Sequence, residues 1–477
     1  MKKLDIHRSF KGNKFKYGSL TTVITIVFLS VLILLNLIVG KLNLSKDLTK
    51  NKMFSLSEQT TKILTGLKQD VKIYGFYETG QENLSVTTLL KQYKLSSKNI
   101  SVEYKDPSKY PQIAEKYSTD DLKVAVGFLV VESGSKYKVI DPQDFVNYNY
   151  TDPNNPTAES LAVEQSITSA ILNVTNVKSM TIHTLQGHSE EQISSDITKQ
   201  LELENYKIAP INLAVKDTKL EEGSVLLVVS PKRDLSSEEE KVIRSYLSKG
   251  GRALFLMDLI ENDLPNFKRV FNSYGIDMQK AITVEGDSKY SAQNPLYLLP
   301  KQQGHDILAS LNRNDLRVLI PGCESIGILG SKKSSLSVEP LLTTSDNAWG
   351  KTNLKTTTSE KEKGDLQGPL NIAVAITDKS SDAKVKDTKI VVVSNSTFTA
   401  QTIVSSSNGA NLDFLMNSIN WVQDKEEGIS VRPKSIDDYV LQISDYDRFL
   451  FSGIVIILIP GIIVIAGIRM WVKRRQK

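Results

Sequence analysis

Two stretches of the chain show no alternation of polar and apolar positions. Residues 21–40, TTVITIVFLSVLILLNLIVG, and 449–468, FLFSGIVIILIPGIIVIAGI, are each twenty residues without a charge. As helices each would extend roughly 30 Å, the depth of a bilayer's hydrocarbon layer. Pro460-Gly461 falls near the middle of the second, where a membrane helix tolerates a kink. Both are predicted to span a membrane.

Between them the pattern is that of alternating strands and helices. DLTKNKMFSLSEQTTKILTGL predicts a short amphipathic helix with a capping box at Ser55 and Glu58, ending near Gly66. A strand at 71–77, a helix at 84–95, a strand at 100–106, a helix near 111–118 and two strands within 125–140 follow. That β-α-β-α-β-β order predicts a small thioredoxin-like unit, without the Cys-x-x-Cys of a redox enzyme. The polar run NYNYTDPNNPTAES (147–160) reads as a linker, and SLAVEQSITSAILNVTN as a connecting helix. Then come MTIHTL (180–185, strand), SEEQISSDITKQLELEN (189–205, helix), SVLLVVS (224–230, strand), SSEEEKVIRSYLSKGG (236–251, helix) and ALFLMD (253–258, strand). The unbroken apolar strands predict a parallel sheet covered on both faces. NLKTTTSEKEKGDLQG (353–368) reads as a mobile loop. NIAVAIT (371–377), KIVVVSN (389–395) and the helix LDFLMNSINWVQ (412–423) complete the unit.

Charge turns this pattern into a topology. The chain is +5 overall, but the first twenty residues carry six bases against Asp5, and the last nine carry five bases and no acid. The tails together are +10 and the rest of the chain is −5. A basic surface for nucleic acid is therefore not predicted; positive tails at both spans place both termini in the cytoplasm. The expected organisation is a cytoplasmic tail (1–20), a transmembrane helix (21–40), a thioredoxin-like α/β domain (41–146), a linker and connecting helix (147–177), a larger α/β domain (178–436), a juxtamembrane segment (437–448), a second transmembrane helix (449–468) and a cytoplasmic tail (469–477).

Candidate chemistry concentrates in TLQGHSEEQI (184–193), where Gly187, His188, Ser189 and Glu190 lie side by side. A helix start accounts for every letter: Gly187 turns the chain out of a strand, Ser189 caps a helix, and Gln192 closes a capping box with Glu190 and Glu191 in the first turn. The same four residues are weak candidates for ligand binding, because a helix N-terminus offers free N–H groups to an anion. No H-x-x-x-H or H-E-x-x-H motif supplies a metal set, and no phosphate loop or G-x-S-x-G elbow is present. No catalytic residue, metal or cofactor is predicted. Cys323 in IPGCESIG reads as a chance thiol, and Trp349 as an anchor for a loop.

The layout resembles the GldG-type auxiliary proteins of ABC transporters. DLTKNKMFSLSEQTTKILTGLKQDVKIYGFY is similar to their post-anchor segment, and EQSITSAILNVTNVKSMTIHTLQGHSE to the entry into their second domain. LLVVSPKRDLSSEEEKVIRSYLSKGGRALFLMD, LTTSDNAWGK, KIVVVSNSTFTAQT and NLDFLMNSINWVQDKEEGISVRPK resemble that domain's core and closing segments. The resemblance implies a glutamine-amidotransferase-like, Rossmann-like α/β class for the larger unit, with no catalytic residues to carry over. It implies a non-enzymatic accessory subunit in the bacterial cell membrane. The partners it implies are a multi-span permease, an ATPase reached through that permease, and an unnamed envelope ligand. The alternative is an envelope hydrolase or amidotransferase on the same scaffold.

Overall fold

A four-stranded sheet comes first. The computed structural model describes residues 22–23, 25–31, 33–34, 47, 49, 51–120, 122–149, 156–175, 179–355, 358–424, 431–436, 449 and 452–475. Strands β1 (Val71–Phe76), β2 (Ile100–Lys105), β3 (Leu129–Ser133) and β4 (Lys136–Ile140) lie in the order β2-β1-β3-β4. β1 runs parallel to β2 and antiparallel to β3, as the helical crossover between the first two requires. Helices α1 (Glu58–Thr65), α2 (Leu84–Ser96) and α3 (Pro111–Tyr117) join or flank these strands. α1 is capped by Ser57, which accepts from the backbone of Thr60, and not by Ser55. The Ser55 hydroxyl is instead held by Asp47, which also binds the backbone N–H of Thr49 and Phe54 and folds that segment into a turn.

The predicted linker contains structure. β5 (Val146–Asn149) and β6 (Thr157–Leu161) pair as a hairpin. Helix α4 (Val163–Val174) does not lead away from the first sheet but packs on it. Its residues Val163, Ile167, Ala170, Ile171 and Val174 share one core with Val71, Ile73, Leu129 and Val131. The apolar face of α4 decides this, since an amphipathic helix stays where its stripe is buried.

The larger sheet has twelve strands among the described residues. Its parallel half is built from β7 (Met180–Leu185), β8 (Tyr206–Ile211), β9 (Val225–Val229) and β10 (Arg252–Leu256). These are followed by β11 (Ile276–Val284), β12 (Glu324–Ile328), β13 (Leu336–Thr343), β14 (Trp349–Lys351), β15 (Asn371–Asp378) and β16 (Thr388–Val393). The main path reads β14-β11-β12-β15-β16-β10-β9-β7-β8, with β13 paired to β15. β8, β7, β9, β10 and β16 are mutually parallel. β15 is antiparallel to β16, and β11, β12, β13 and β14 continue antiparallel. The sheet is thus mixed, where the apolar runs predicted a parallel one; period and apolarity do not reveal strand direction.

Alternate residues of the parallel strands feed two cores. Val225, Leu227, Leu254 and Leu256 face helices α5 (Ser195–Leu203) and α9 (Ala410–Val422), with α8 (Asp306–Arg313) beside them. Leu226, Val228, Ala253 and Phe255 face α6 (Ser237–Leu247) and α7 (Pro265–Ser273). α6 has the capping box of Ser236 and Glu239. Past its end, Gly250 adopts φ +81°, and a Cβ there would stand 2.4 Å from the Lys386 carbonyl oxygen.

The loop of residues 353–368, predicted mobile, is bonded down at several points. Trp349 Nε1 donates to the Ser359 carbonyl at 3.1 Å, the anchoring role expected of it. The side chain of Lys351, 4% exposed, meets Glu362 at 3.0 Å and Asp365 at 3.5 Å. Cys323 is fully buried, and burial pushes its thiol up to about 12, so it is inert.

Among the described residues no helix is long and apolar enough to cross a membrane. The stretch 21–40 falls partly, and residues 1–20 and 437–448 wholly, outside the described residues. In the second stretch, Gly453–Leu458 is π-helical and Ile459–Arg475 is α-helical. The change falls next to Pro460, whose missing N–H and ring disfavour a regular turn.

Candidate functional site

Numbered within the larger unit, the parallel strands follow the order 2-1-3-4-5, corresponding to β8, β7, β9, β10 and β16. From β7 the chain winds outward to β8, then returns to the other side of β7 as β9. In such doubly wound sheets the connections leaving the first and third strands diverge, and a crevice opens at their carboxyl ends. Here those connections are residues 186–194 and 230–236, and they contain the predicted candidates.

The predicted helix start at Ser189 is not there. Helix α5 begins at Ser195, and its cap is Ser194, which accepts from the backbone of Ile197. Ser189 has φ +58° and lies in an irregular loop; its Oγ accepts from Arg233 Nε at 3.1 Å and Nη2 at 2.8 Å. Gly187 has φ +121°, in keeping with the turn expected of it. Only Ser189 has the capping-box spelling, with Gln192 three residues on, whereas Ser194 is followed at that distance by Ile197, yet Ser194 is the cap. The Glu191 N–H instead bonds across to the Val229 carbonyl at 3.0 Å.

His188 is 5% exposed. Its Nδ1 lies 3.0 Å from Glu190 Oε1, and its Nε2 lies 3.2 Å from Glu239 Oε2, on α6. Its carbonyl accepts from the N–H groups of Lys232 and Arg233 at 2.9 and 3.0 Å. The ring also meets Phe267 edge-on. Hydrogen bonding to Glu190 raises the His188 pKa above 6.5; burial opposes this, and Glu239 adds to it. Burial pushes Glu190 and Glu239 up, yet both end below the usual range. For Glu190 the His188 bond, two backbone hydrogen bonds and the His188 charge together outweigh burial, and for Glu239 the Ser236 and His188 bonds together do so. His188 is therefore a latch between two loops and a helix. With both ring nitrogens engaged by carboxylates, it is not poised as a general base for a nearby nucleophile.

A second cluster, not predicted, lies beside it. Ser230 follows directly on β9 with φ +48°, a conformation that non-glycine residues seldom hold outside special sites. Its hydroxyl donates to Asp258, beyond β10, and accepts from Lys232. The other oxygen of Asp258 accepts from the Ser396 N–H at 2.7 Å, and Ser396 Oγ lies 2.6 Å from Asp258 Oδ2. Lys232 Nζ is 3.0 Å from Glu191 Oε1 and 3.6 Å from Asp258. Ser230, Asp258 and Ser396 follow β9, β10 and β16, so parallel strand order alone brings them to one edge. The legible signal was the small or acidic residue just after each buried apolar strand: Ser230 after SVLLVV, Asp258 after ALFLM, Ser396 after KIVVVSN.

The floor of the site is thus largely buried and bonded, with Glu239 Oε1 the buried oxygen left without a hydrogen-bond partner, while Ser189, Glu191 and Arg233 line its exposed rim. Such a rim offers hydrogen-bond donors and acceptors of both signs. It does not assemble a nucleophile with a free base: Ser230 is fully buried and His188 is occupied. Among the described residues no cluster of His, Cys, Asp or Glu could hold a metal ion. His183, inside β7, is buried, with both ring nitrogens lacking hydrogen bonds, and takes no part in the latch.

Comparison with known proteins bears on this unit directly. A family described as an ABC-type uncharacterized transport system matches residues 179–418, half of the chain. A domain of unknown function matches residues 50–143, which include the four-stranded sheet. No curated protein matches the chain. Among solved structures, the mmIFT52 N-terminal domain is similar over 51% of this chain and 97% of its own, at 15% identity and a TM-score of 0.37. Exo-beta-1,4-mannosidase Op5Man5 from Opitutaceae bacterium strain TAV5 is similar over 79% of this chain and 56% of its own, at 9% identity and a TM-score of 0.25. The family match begins one residue before β7 and ends within α9, spanning both connections that form the site. The chain belongs to this ABC-type transport system family, as an auxiliary protein with an accessory role in ABC transport.

Proposed function

We propose that the chain is a GldG-type, non-enzymatic subunit anchored in the bacterial cell membrane by residues 21–40 and 449–468. Both termini are cytoplasmic, and residues 41–448 form an outer region with a thioredoxin-like unit and an amidotransferase-like unit. It joins a multi-span permease, reaches the ATPase through that permease, and presents the rim at Ser189, Glu191 and Arg233 to an envelope ligand or partner.

The family match carries this reading. Further support comes from the small sheet's order, β2-β1-β3-β4 with one parallel pair, which suits a thioredoxin-like unit. The helix ending at Arg475 supports anchoring. Ile456, Ile457, Ile462, Val464, Ile465, Ile468 and Trp471 are all more than half exposed on it, a surface that favours lipid or another apolar helix over water. The test is purification of the full-length chain from its native membrane in mild detergent. A multi-span permease should co-purify, and the ATPase only when the permease is present. A chain that purifies alone, and is unaffected by deletion of the permease, overturns the proposal.

One observation favours the hydrolase alternative: Ser230 stands at a strand end with positive φ, as a nucleophile elbow would place it. A fluorophosphonate probe separates the readings. The accessory reading expects no labelling of Ser230, because its hydroxyl is buried between Asp258 and Lys232.

A further inference from the structure

Residues 51–57 and 431–436 stand at opposite ends of the outer region in sequence, yet they meet on helix α4. Glu164, in the first turn of α4, is 3% exposed. Its Oε1 accepts from the Ser57 N–H and hydroxyl, each at 2.7 Å, and its Oε2 pairs with Lys434 Nζ at 2.6 Å. Lys434 spends its remaining donors on the carbonyls of Lys52, at 2.8 Å, and Ser55. Around this pair the backbone closes. Lys434–Ser435 adds a short strand to β6, the Ile436 N–H donates to the Glu159 carbonyl at 2.8 Å, and Asn51 Nδ2 donates to the Ser435 carbonyl at 2.8 Å. The buried carboxylate and the mostly buried ammonium thus neutralise each other, and their surrounding polar partners fix the geometry of the pair.

The same short segment is also tied to the larger sheet. Arg432 pairs with Asp413 on α9 and donates to Asn417 at 3.2 Å. The chain therefore leaves the larger sheet, returns to the smaller one, and is fastened beside its own starting point.

We infer that Glu164 and Lys434 are positioning residues of a clasp that holds the chain segments leading to residues 21–40 and 449–468 at one point, so that these two apolar stretches leave the outer region as an intramolecular pair. The inference rests on the proposed membrane anchoring for the surroundings of the stretches, but not for the clasp itself. From Asn51 back to residue 40, and from Ser435 on to residue 449, the chain can extend by no more than roughly 40 and 50 Å. Two apolar helices tethered this closely meet at millimolar effective concentration, in order of magnitude, without any added contact. Each then offers the other a partner for its exposed apolar surface.

The test uses the full-length chain in its native membrane, with Asn51→Cys and Ser435→Cys and a short thiol cross-linker. The native Cys323 is buried and stays silent. After cleavage within the outer region, the two fragments should remain joined in the doubly substituted chain. They should separate in a control with Asn51→Cys and Lys363→Cys. Lys434→Met should reduce the joined fraction several-fold, whereas Lys434→Arg should preserve most of it. Equal joining in the pair and the control, or no change on Lys434→Met, overturns the clasp. A second pair, Gly40→Cys with Phe449→Cys, reads the stretches themselves: cross-linking supports their pairing, and its failure while the first pair joins overturns the pairing. Labelling of a single Lys363→Cys by a membrane-impermeant maleimide on intact cells reports the anchoring separately. Loss of that labelling removes the membrane reading and leaves the clasp to be judged by the first pair.

Discussion

The two halves of the large sheet make different things of similar strands. In the parallel half, β7, β9, β10 and β16 all present their carboxyl ends to one edge, so Ser230, Asp258 and Ser396, each from a different loop, converge there with the His188 latch. In the antiparallel half, successive strands end on opposite edges, and polar groups meet in smaller sets, as Glu285 does with the Ser345 N–H at 3.0 Å and hydroxyl at 2.5 Å. Register differs as well. The parallel ladders run without interruption, whereas β11 slips against β12 between Met278 and Ile282, and β13 against β15 around Pro340. Direction, not composition, decides where polar groups collect.

The largest expected effect is at the latch. His188→Ala leaves Glu190 and Glu239 buried without their shared partner and should destabilise the chain by about 3–5 kcal/mol, measured by denaturant unfolding of the outer region. Destabilisation no greater than that of an average surface substitution would show that the two loops are held by backbone bonds alone, and would end the claim that the parallel edge is specially coupled.

The latch should also show in pH dependence. His188 has a raised pKa in the folded chain, so its contribution is full below about 6.5 and is lost as pH rises through the raised value. Glu190 and Glu239 have depressed values, so their contribution is full above about 4.5 and is lost as pH falls through those values. Stability of the native chain relative to His188→Gln should therefore be greatest between about 4.5 and 6.5 and should narrow on either side. A difference independent of pH would mean that the imidazole acts by packing only.

Ser230 sharpens the comparison at intermediate size. Ser230→Ala removes the hydroxyl shared by Asp258 and Lys232 and should cost about 1–3 kcal/mol. Ser230→Gly loses the same bonds but suits φ +48°, so it should be less destabilising than the alanine variant by about 1 kcal/mol. An equal loss in both would place the effect wholly in the side chain. The smallest pair concerns the helix start. Ser194→Ala should lose about 0.5–2 kcal/mol, and Ser189→Ala less than about 0.5 kcal/mol. The reverse order would restore the helix start to Ser189.

The strands and helices of both sheets were largely legible in their periodicity: VKIYGF, MTIHTL, VLLVV and KIVVV are strands where the pattern puts them. β11 was legible only in part: Ile276, Met278, Ile282 and Val284 keep a strand period, but Lys280, at φ +47°, interrupts it where the register shifts. The site was legible as residues but not as an arrangement. Gly187, His188, Ser189 and Glu190 spell a helix start, whereas the true cap, Ser194, has Ile197 three residues on and no capping-box signature.

What the sequence determined by itself was local: the apolar stretches, the charge of the tails, the faces of strands and helices, and the lack of a motif for metal or nucleotide chemistry. These depend on neighbours within a turn or two, where spacing translates directly into a face. Strand direction, the packing of α4 on the first sheet, the grip of Glu239 on His188 and the meeting of Lys434 with Glu164 were decided only by tertiary structure. In each, the partners are tens to hundreds of residues apart, and burial forces a polar group to find whichever partner the fold brings within reach.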